Sequence, residues 1–133
     1  MIIKALLGLL ISAGSAVQIM PQQAGNHIDN VQRWEPLVQQ ALNDYGIPDQ
    51  TETFLRVMHC ESLGRPDAHN TSVYTNPKDQ ASGLMQHMPR YWDNRAEAIG
   101  WPQADIFNPI ANISASAWLL TAHGGGWGHW TCY

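Results

Sequence analysis

The feature that most limits what this chain can fold into is its punctuation. Apolar residues recur at helical spacing in short segments, and glycines and prolines separate one segment from the next. Pro36 suits the first turn of a helix, where its missing N–H would have no partner in any case. Leu37, Val38, Ala41, Leu42 and Tyr45 then follow at helical spacing before Gly46 ends the run and Ile47-Pro48 turns the chain. Asp49 and Glu52 have the spacing of a capping box, and Phe54, Val57, Met58 and Glu61 fall on one face of a second helix that Gly64 and Pro66 stop. A short helix over residues 93–99 ends at Gly100. Asn108-Pro109 opens a last one, with Ile110, Ile113, Ala117 and Leu120 on one side before Gly124. Residues 65–80, where Val73 and Tyr74 stand among Asn70, Thr71, Ser72, Asn76 and Pro77, read as loops or a small β-hairpin. The expected class is mostly α (α+β), a helical bundle with one small β-hairpin or loop element.

A chain of 133 residues supports one domain. Residues 1–16 carry Lys4, an apolar run from Ala5 to Ile11 and then small residues to Ala16, the layout of a secretory signal peptide. The run is too short to span a bilayer, which takes about 20 residues. A signal anchor and a buried N-terminal helix are the alternatives. Residues 17–33, rich in glutamine, glycine and asparagine at their start, read as an exposed leader, and 34–133 as the folded domain. A secreted, periplasmic or cell-wall location is expected, with no membrane span left after processing. Cys60 and Cys132 are the only cysteines, and in an exported chain they suggest one disulfide, the alternative being two separate buried thiols.

Composition excludes some partners. Charged residues are only 14% and hydrophobic ones 44%, which argues against disorder, and a net charge of −4 leaves no basic surface for nucleic acid. His59-Cys60-Glu61 has the His-x-Glu of zinc deaminases but lacks their Pro-Cys-x-x-Cys, and the histidines show no ligand spacing; neither metal nor organic cofactor is expected.

Glu61 draws attention because it shares a face with Val57 and Met58. Burial there would raise its pKa and keep it protonated, as an acid that donates to a glycosidic oxygen must be. Downstream, Gly83-Leu84-Met85-Gln86 combines a glycine that allows close backbone approach with an amide that both donates and accepts. Glu61-Ser62, the run Gly83-Leu84-Met85-Gln86 with Pro89 and Trp92 behind it, and Asn108-Pro109 with Asn112-Ile113 resemble, in order, the motifs of the soluble lytic transglycosylases, relatives of goose-type lysozyme.

The resemblance covers about 100 residues from Trp34 to Tyr133. It implies a lysozyme-like fold around a catalytic helix, with peptidoglycan glycan strands as the substrate of a monomeric enzyme. Glu61 would be the catalytic acid, Ser62 its support, and Met85 and Gln86 cleft-lining residues. His87 stands where the family more often has an aliphatic residue. The ending Trp127-Gly128-His129-Trp130-Thr131-Cys132-Tyr133 is similar to small secreted and phage-borne members that carry a cysteine pair, so a role in phage lysis or in the virion is the alternative to a bacterial wall enzyme. Indole faces pack on sugar rings, which makes Trp92, Trp127 and Trp130 further cleft candidates beside Tyr133. Two rival activities remain: a hydrolytic muramidase, which needs a second carboxylate such as Asp67 or Asp79, and an inactive module that only binds glycan.

Overall fold

Prolines and glycines bound the helices of the computed structural model, which describes residues 27–71 and 75–133. α1 (His27–Gln32), α2 (Glu35–Asp44), α3 (Thr51–Ser62), α4 (Pro89–Ala98) and α5 (Pro109–Thr121) follow in order, with 3-10 turns at Pro48–Gln50 and Pro77–Asp79. The expected signal segment, the leader up to residue 26, and Ser72, Val73 and Tyr74 lie outside the described residues. None of the described helices is long and apolar enough to cross a membrane.

Three local expectations change. Residues 27–33 are not an exposed leader: α1 packs on α3, Val31 is buried, and Trp34 Nε1 donates to Gly64 O at 2.8 Å. The close approach depends on Gly64 (φ +72), where a Cβ would sit 2.7 Å from Asn30 O. The Asp49–Glu52 capping box does not form, because the Pro48–Gln50 turn occupies its place. Gln50 caps α3 without a side-chain bond, and Thr51 Oγ1 donates to Pro48 O instead. α4 begins at Pro89 rather than near residue 93, since extended Met88 sets proline at the first turn, where it fits best. No strand forms among the described residues; of the expected loops or small β-hairpin they show loops, with two isolated antiparallel bridges, His69–Ser82 and Ser82–His87.

α5 is the axis of the fold. It contacts α2 and α4, and burial runs almost all round it, through Ala111, Asn112, Ile113, Ala115, Ser116, Ala117, Leu119 and Leu120. A helix buried on most sides has no single apolar stripe, which is why the expected stripe is incomplete: Ile110 is 51% exposed. Small residues on α5 let its neighbours come close. The larger core joins Val38 and Leu42 of α2, Phe54, Val57 and Met58 of α3, Leu84, Met85 and Ile113, with Trp127 and Trp130 of the tail on its edge. A smaller core holds Trp92, Ala96, Ala104, Ala111 and Ala115. Burying each large side chain contributes roughly 1.5–3 kcal/mol.

One side chain of α5 ties down the backbone of the turn that carries Leu84, Met85 and Gln86. Asn112 is fully buried; its Oδ1 accepts from Met85 N–H at 2.7 Å, and its Nδ2 donates to Ile106 O at 2.8 Å and Ser82 O at 3.2 Å. Gly83 makes room for it. At φ +85, a Cβ there would lie 2.2 Å from Asn112 Nδ2 and 2.8 Å from Ile106 O. Gly83→Ala therefore combines left-handed strain of about 1–2 kcal/mol with loss of a buried hydrogen bond worth a similar amount. The expected cost is about 3 kcal/mol, a fall of on the order of 10 °C in melting temperature; a fall under about 3 °C would contradict this account of the turn.

Candidate active site

Glu61 occupies the last turn of α3, half-buried, because the 3.6-residue period that sends Phe54, Val57 and Met58 into the core carries on to it. Leu63 (φ 56) ends the helix in the left-handed conformation, with its N–H returned to His59 O. Ser62 is buried; its Oγ donates to Met58 O at 3.2 Å and accepts from Gly64 N–H at 3.2 Å. It thus fixes the helix end on which Glu61 sits.

The rest of the setting of Glu61 comes from the far end of the chain. Cys60 and Cys132 are joined in a disulfide across 72 positions, and the Cys132 backbone N–H donates to the Glu61 carboxylate. Burial raises the Glu61 pKa above the usual carboxylate range, the hydrogen bond from Cys132 opposing it in part. The result is a carboxyl biased toward its protonated form and held in place by a fixed donor.

The tail also closes on the turn. Trp130 Nε1 donates to Met85 O at 2.9 Å, Trp127 Nε1 donates to Gln50 Oε1 at 2.9 Å, and Trp127 packs edge-on to Phe54 with centroids 5.9 Å apart. Gln86 adopts φ 55, a left-handed conformation that a residue with a side chain occupies at a cost. Its Nε2 donates to Gly83 O and Ala68 O, which holds the amide across the turn.

Of the residues read from sequence, Met85, Gln86 and Trp130 line one cavity of about 130 Å³. Trp127 and Tyr133, stacked at 5.7 Å, line another of about 230 Å³ with Ile47, Gln50, Leu120 and Gly126. Trp92 does not join them. It lies 6% exposed in the smaller core with Nε1 donating to Ala104 O at 2.7 Å, a packing position that leaves no face for a sugar. Asp79 pairs with Arg90, and Asp67 is exposed, so neither has the enclosure that Glu61 has.

Sequence reading missed the buried polar chain behind the turn. His87 Nε2 lies 2.7 Å from Ser116 Oγ and 3.1 Å from Asn112 O, and Arg95 Nη1 donates to His87 Nδ1 at 2.8 Å. With Nδ1 accepting, Nε2 carries the proton. Complete burial, reinforced by the positive charge of Arg95, pushes the His87 pKa down to about 3. Above pH 6.5 His87 is neutral in both the folded and the unfolded chain and adds no pH dependence. Below it the unfolded chain takes up a proton that the folded chain refuses until about pH 3, so stability falls as pH falls, by up to about 1.4 kcal/mol per pH unit. Glu61 acts in the opposite sense, its raised pKa costing stability as pH rises past the ordinary carboxylate value. Denaturant titrations of the parent chain and His87→Leu between pH 6 and 4 should give a clearly flatter profile for the variant; parallel profiles would show that His87 is not the group responsible.

Among the described residues no group of three or more His, Cys, Asp or Glu is gathered as a metal site. A family model described as Transglycosylase SLT domain matches residues 36–133. Comparison with the curated proteins and with the solved structures found no match.

Proposed function

Since the chain belongs to the SLT transglycosylase family, whose mostly helical, lysozyme-like fold it shares, we propose that it cleaves the β-1,4 bond between N-acetylmuramic acid and N-acetylglucosamine without adding water. Family membership sets the substrate class as peptidoglycan. The observation that supports the finer reading is the half-buried Glu61 with its raised pKa and its backbone donor.

In this scheme Glu61 gives its proton to the glycosidic oxygen as the bond to C1 of the muramoyl residue breaks. The resulting carboxylate then takes the proton of the C6 hydroxyl of the same sugar, whose oxygen bonds to C1 and leaves a 1,6-anhydro end. One carboxyl serves as acid and then as base. The nucleophile is part of the substrate, an arrangement in which correct orientation alone is worth effective molarities of about 10⁵–10⁸ M. The scheme uses no second carboxylate, and neither Asp67 nor Asp79 is enclosed as a fixed partner would be. Met85, Gln86 and Trp130 are the residues proposed to bound the sugars at the turn, and Trp127 and Tyr133 to bound a neighbouring stretch of the tail. Activity outside the cytoplasmic membrane, where the wall lies, fits the exported character proposed for the chain.

Mass analysis of digested peptidoglycan tests the proposal. Anhydro-muramoyl ends are the expected product; reducing ends would assign the chain to the hydrolytic muramidases, and binding without either product would make it a glycan-binding module.

A further inference from the structure

Arg95 is a cation whose setting the glycan-cutting scheme does not use. Its guanidinium is half-buried, lies 5.3 Å from the centroid of the Tyr91 ring and gives one N–H to His87. Because that histidine is neutral, the hydrogen bond leaves the charge of Arg95 unmatched. Among the described residues Arg90–Asp79 is the one ion pair, and the remaining N–H groups of the Arg95 fork make no bond to a described residue. A guanidinium held half out of water with no counter-charge costs free energy unless something outside the chain supplies the anion.

The space before it has a definite character. The cavity of about 130 Å³ beside Met85, Gln86 and Trp130 is bounded on its other side by Tyr91, Arg95 and His129. At roughly 30 Å³ per water it holds about four waters, room for a carboxylate and the start of its chain. It adjoins a longer cavity of about 320 Å³ that shares Tyr91, Arg95 and His129 and continues past Asn94 and Trp118. No Asp or Glu lines either space. In a chain with a net charge of −4, this is a local cationic site that would repel nothing anionic.

We propose that Arg95, with Tyr91 and His129 around it, forms a subsite for a carboxylate of the peptide stem attached to the glycan, the stem leaving the Gln86 side along the longer cavity. This rests on the reading of peptidoglycan as substrate. The planar guanidinium offers a carboxylate two parallel N–H donors, which an ammonium cannot match. The same side chain, through His87, supports the turn that carries Gln86, so a bound stem would bear directly on the residues at the cleavage site.

The test is calorimetric titration of the full chain carrying Glu61→Gln, with a free stem peptide and with the same peptide amidated at its carboxylates. The carboxylate form is expected to bind about tenfold tighter, with Arg95→Gln reducing the difference to within about twofold and Arg95→Lys retaining part of it. Equal affinity for the two peptides overturns the proposal, as does a difference that persists in Arg95→Gln. If Arg95→Gln fails to fold, the comparison of the two peptides on the chain with native Arg95 still decides. Cleavage is read separately: a chain that cuts peptidoglycan but ignores the carboxylates sinks only this subsite, whereas one that cuts nothing sinks the proposed cleavage reaction.

Discussion

Glu61→Gln is expected to slow glycan cleavage by a factor on the order of 10²–10⁴ while leaving the melting temperature within a few degrees of the parent. Glutamine keeps the shape of the carboxyl and still offers an oxygen to the Cys132 N–H, so the helix end and the tail stay where they are. What is lost is the transferable proton. The stability change is small and of either sign, because Glu61 is a half-buried carboxyl whose ionisation burial disfavours. Initial rates on purified wall, with circular dichroism melts of both proteins, make the comparison. Residual activity within tenfold of the parent would mean that another group delivers the proton.

Opening the Cys60–Cys132 bond is expected to have the largest effect on stability and a second, separate effect on activity. In the chain-entropy account a loop of 72 residues constrains the unfolded state by roughly 4 kcal/mol, an upper value that corresponds to a fall in melting temperature of up to about 15 °C. Activity should fall even well below that temperature, since the bridge brings the Cys132 N–H to Glu61 and anchors the segment through which Trp130 bonds Met85. Cys60→Ser should behave like the reduced parent, because Cys60 is exposed, whereas Cys132→Ser should cost somewhat more, because Cys132 packs partly buried against the larger core. A reduced protein that melts lower but cuts at the parent rate at 20–25 °C would show that the tail stabilises the domain without shaping the site.

The parts of this molecule that were legible in the sequence are those governed by local rules. Helix period and the prolines and glycines at segment ends locate α2, α3 and α5 closely, and the same period puts Glu61 at the buried end of α3. The cysteine pair follows from counting. What escaped depends on partners distant in sequence. The packing of α1 at Val31 depends on Gly64, about thirty residues on, and nothing in a glutamine- and asparagine-rich segment announces it. Trp92 reads equally well as a cleft wall or a core residue until the alanines of α5 are seen beside it. His87, Arg95, Ser116 and Asn112 come from three separated stretches, and the local hints were His87 in place of an aliphatic residue and a polar Asn112 set among Ala111 and Ile113 in an apolar helix. The Cys132 N–H on Glu61 had no signal at all, since a backbone donor has no letter in a sequence.

The bond between Met85 N–H and Asn112 Oδ1 has a further consequence, in time rather than in energy. The turn from Ser82 to His87 belongs to no strand ladder, and a segment of that kind ordinarily exchanges its amide hydrogens with solvent early, through small local openings. Here the amide next to Gln86 is bonded to a fully buried side chain on the central helix, so deuterium reaches it only when the turn and α5 separate. Such a separation breaks the larger core, and its frequency is close to that of unfolding the domain. The turn that carries Gln86 therefore opens on a clock close to that of unfolding the domain, although it belongs to no regular element.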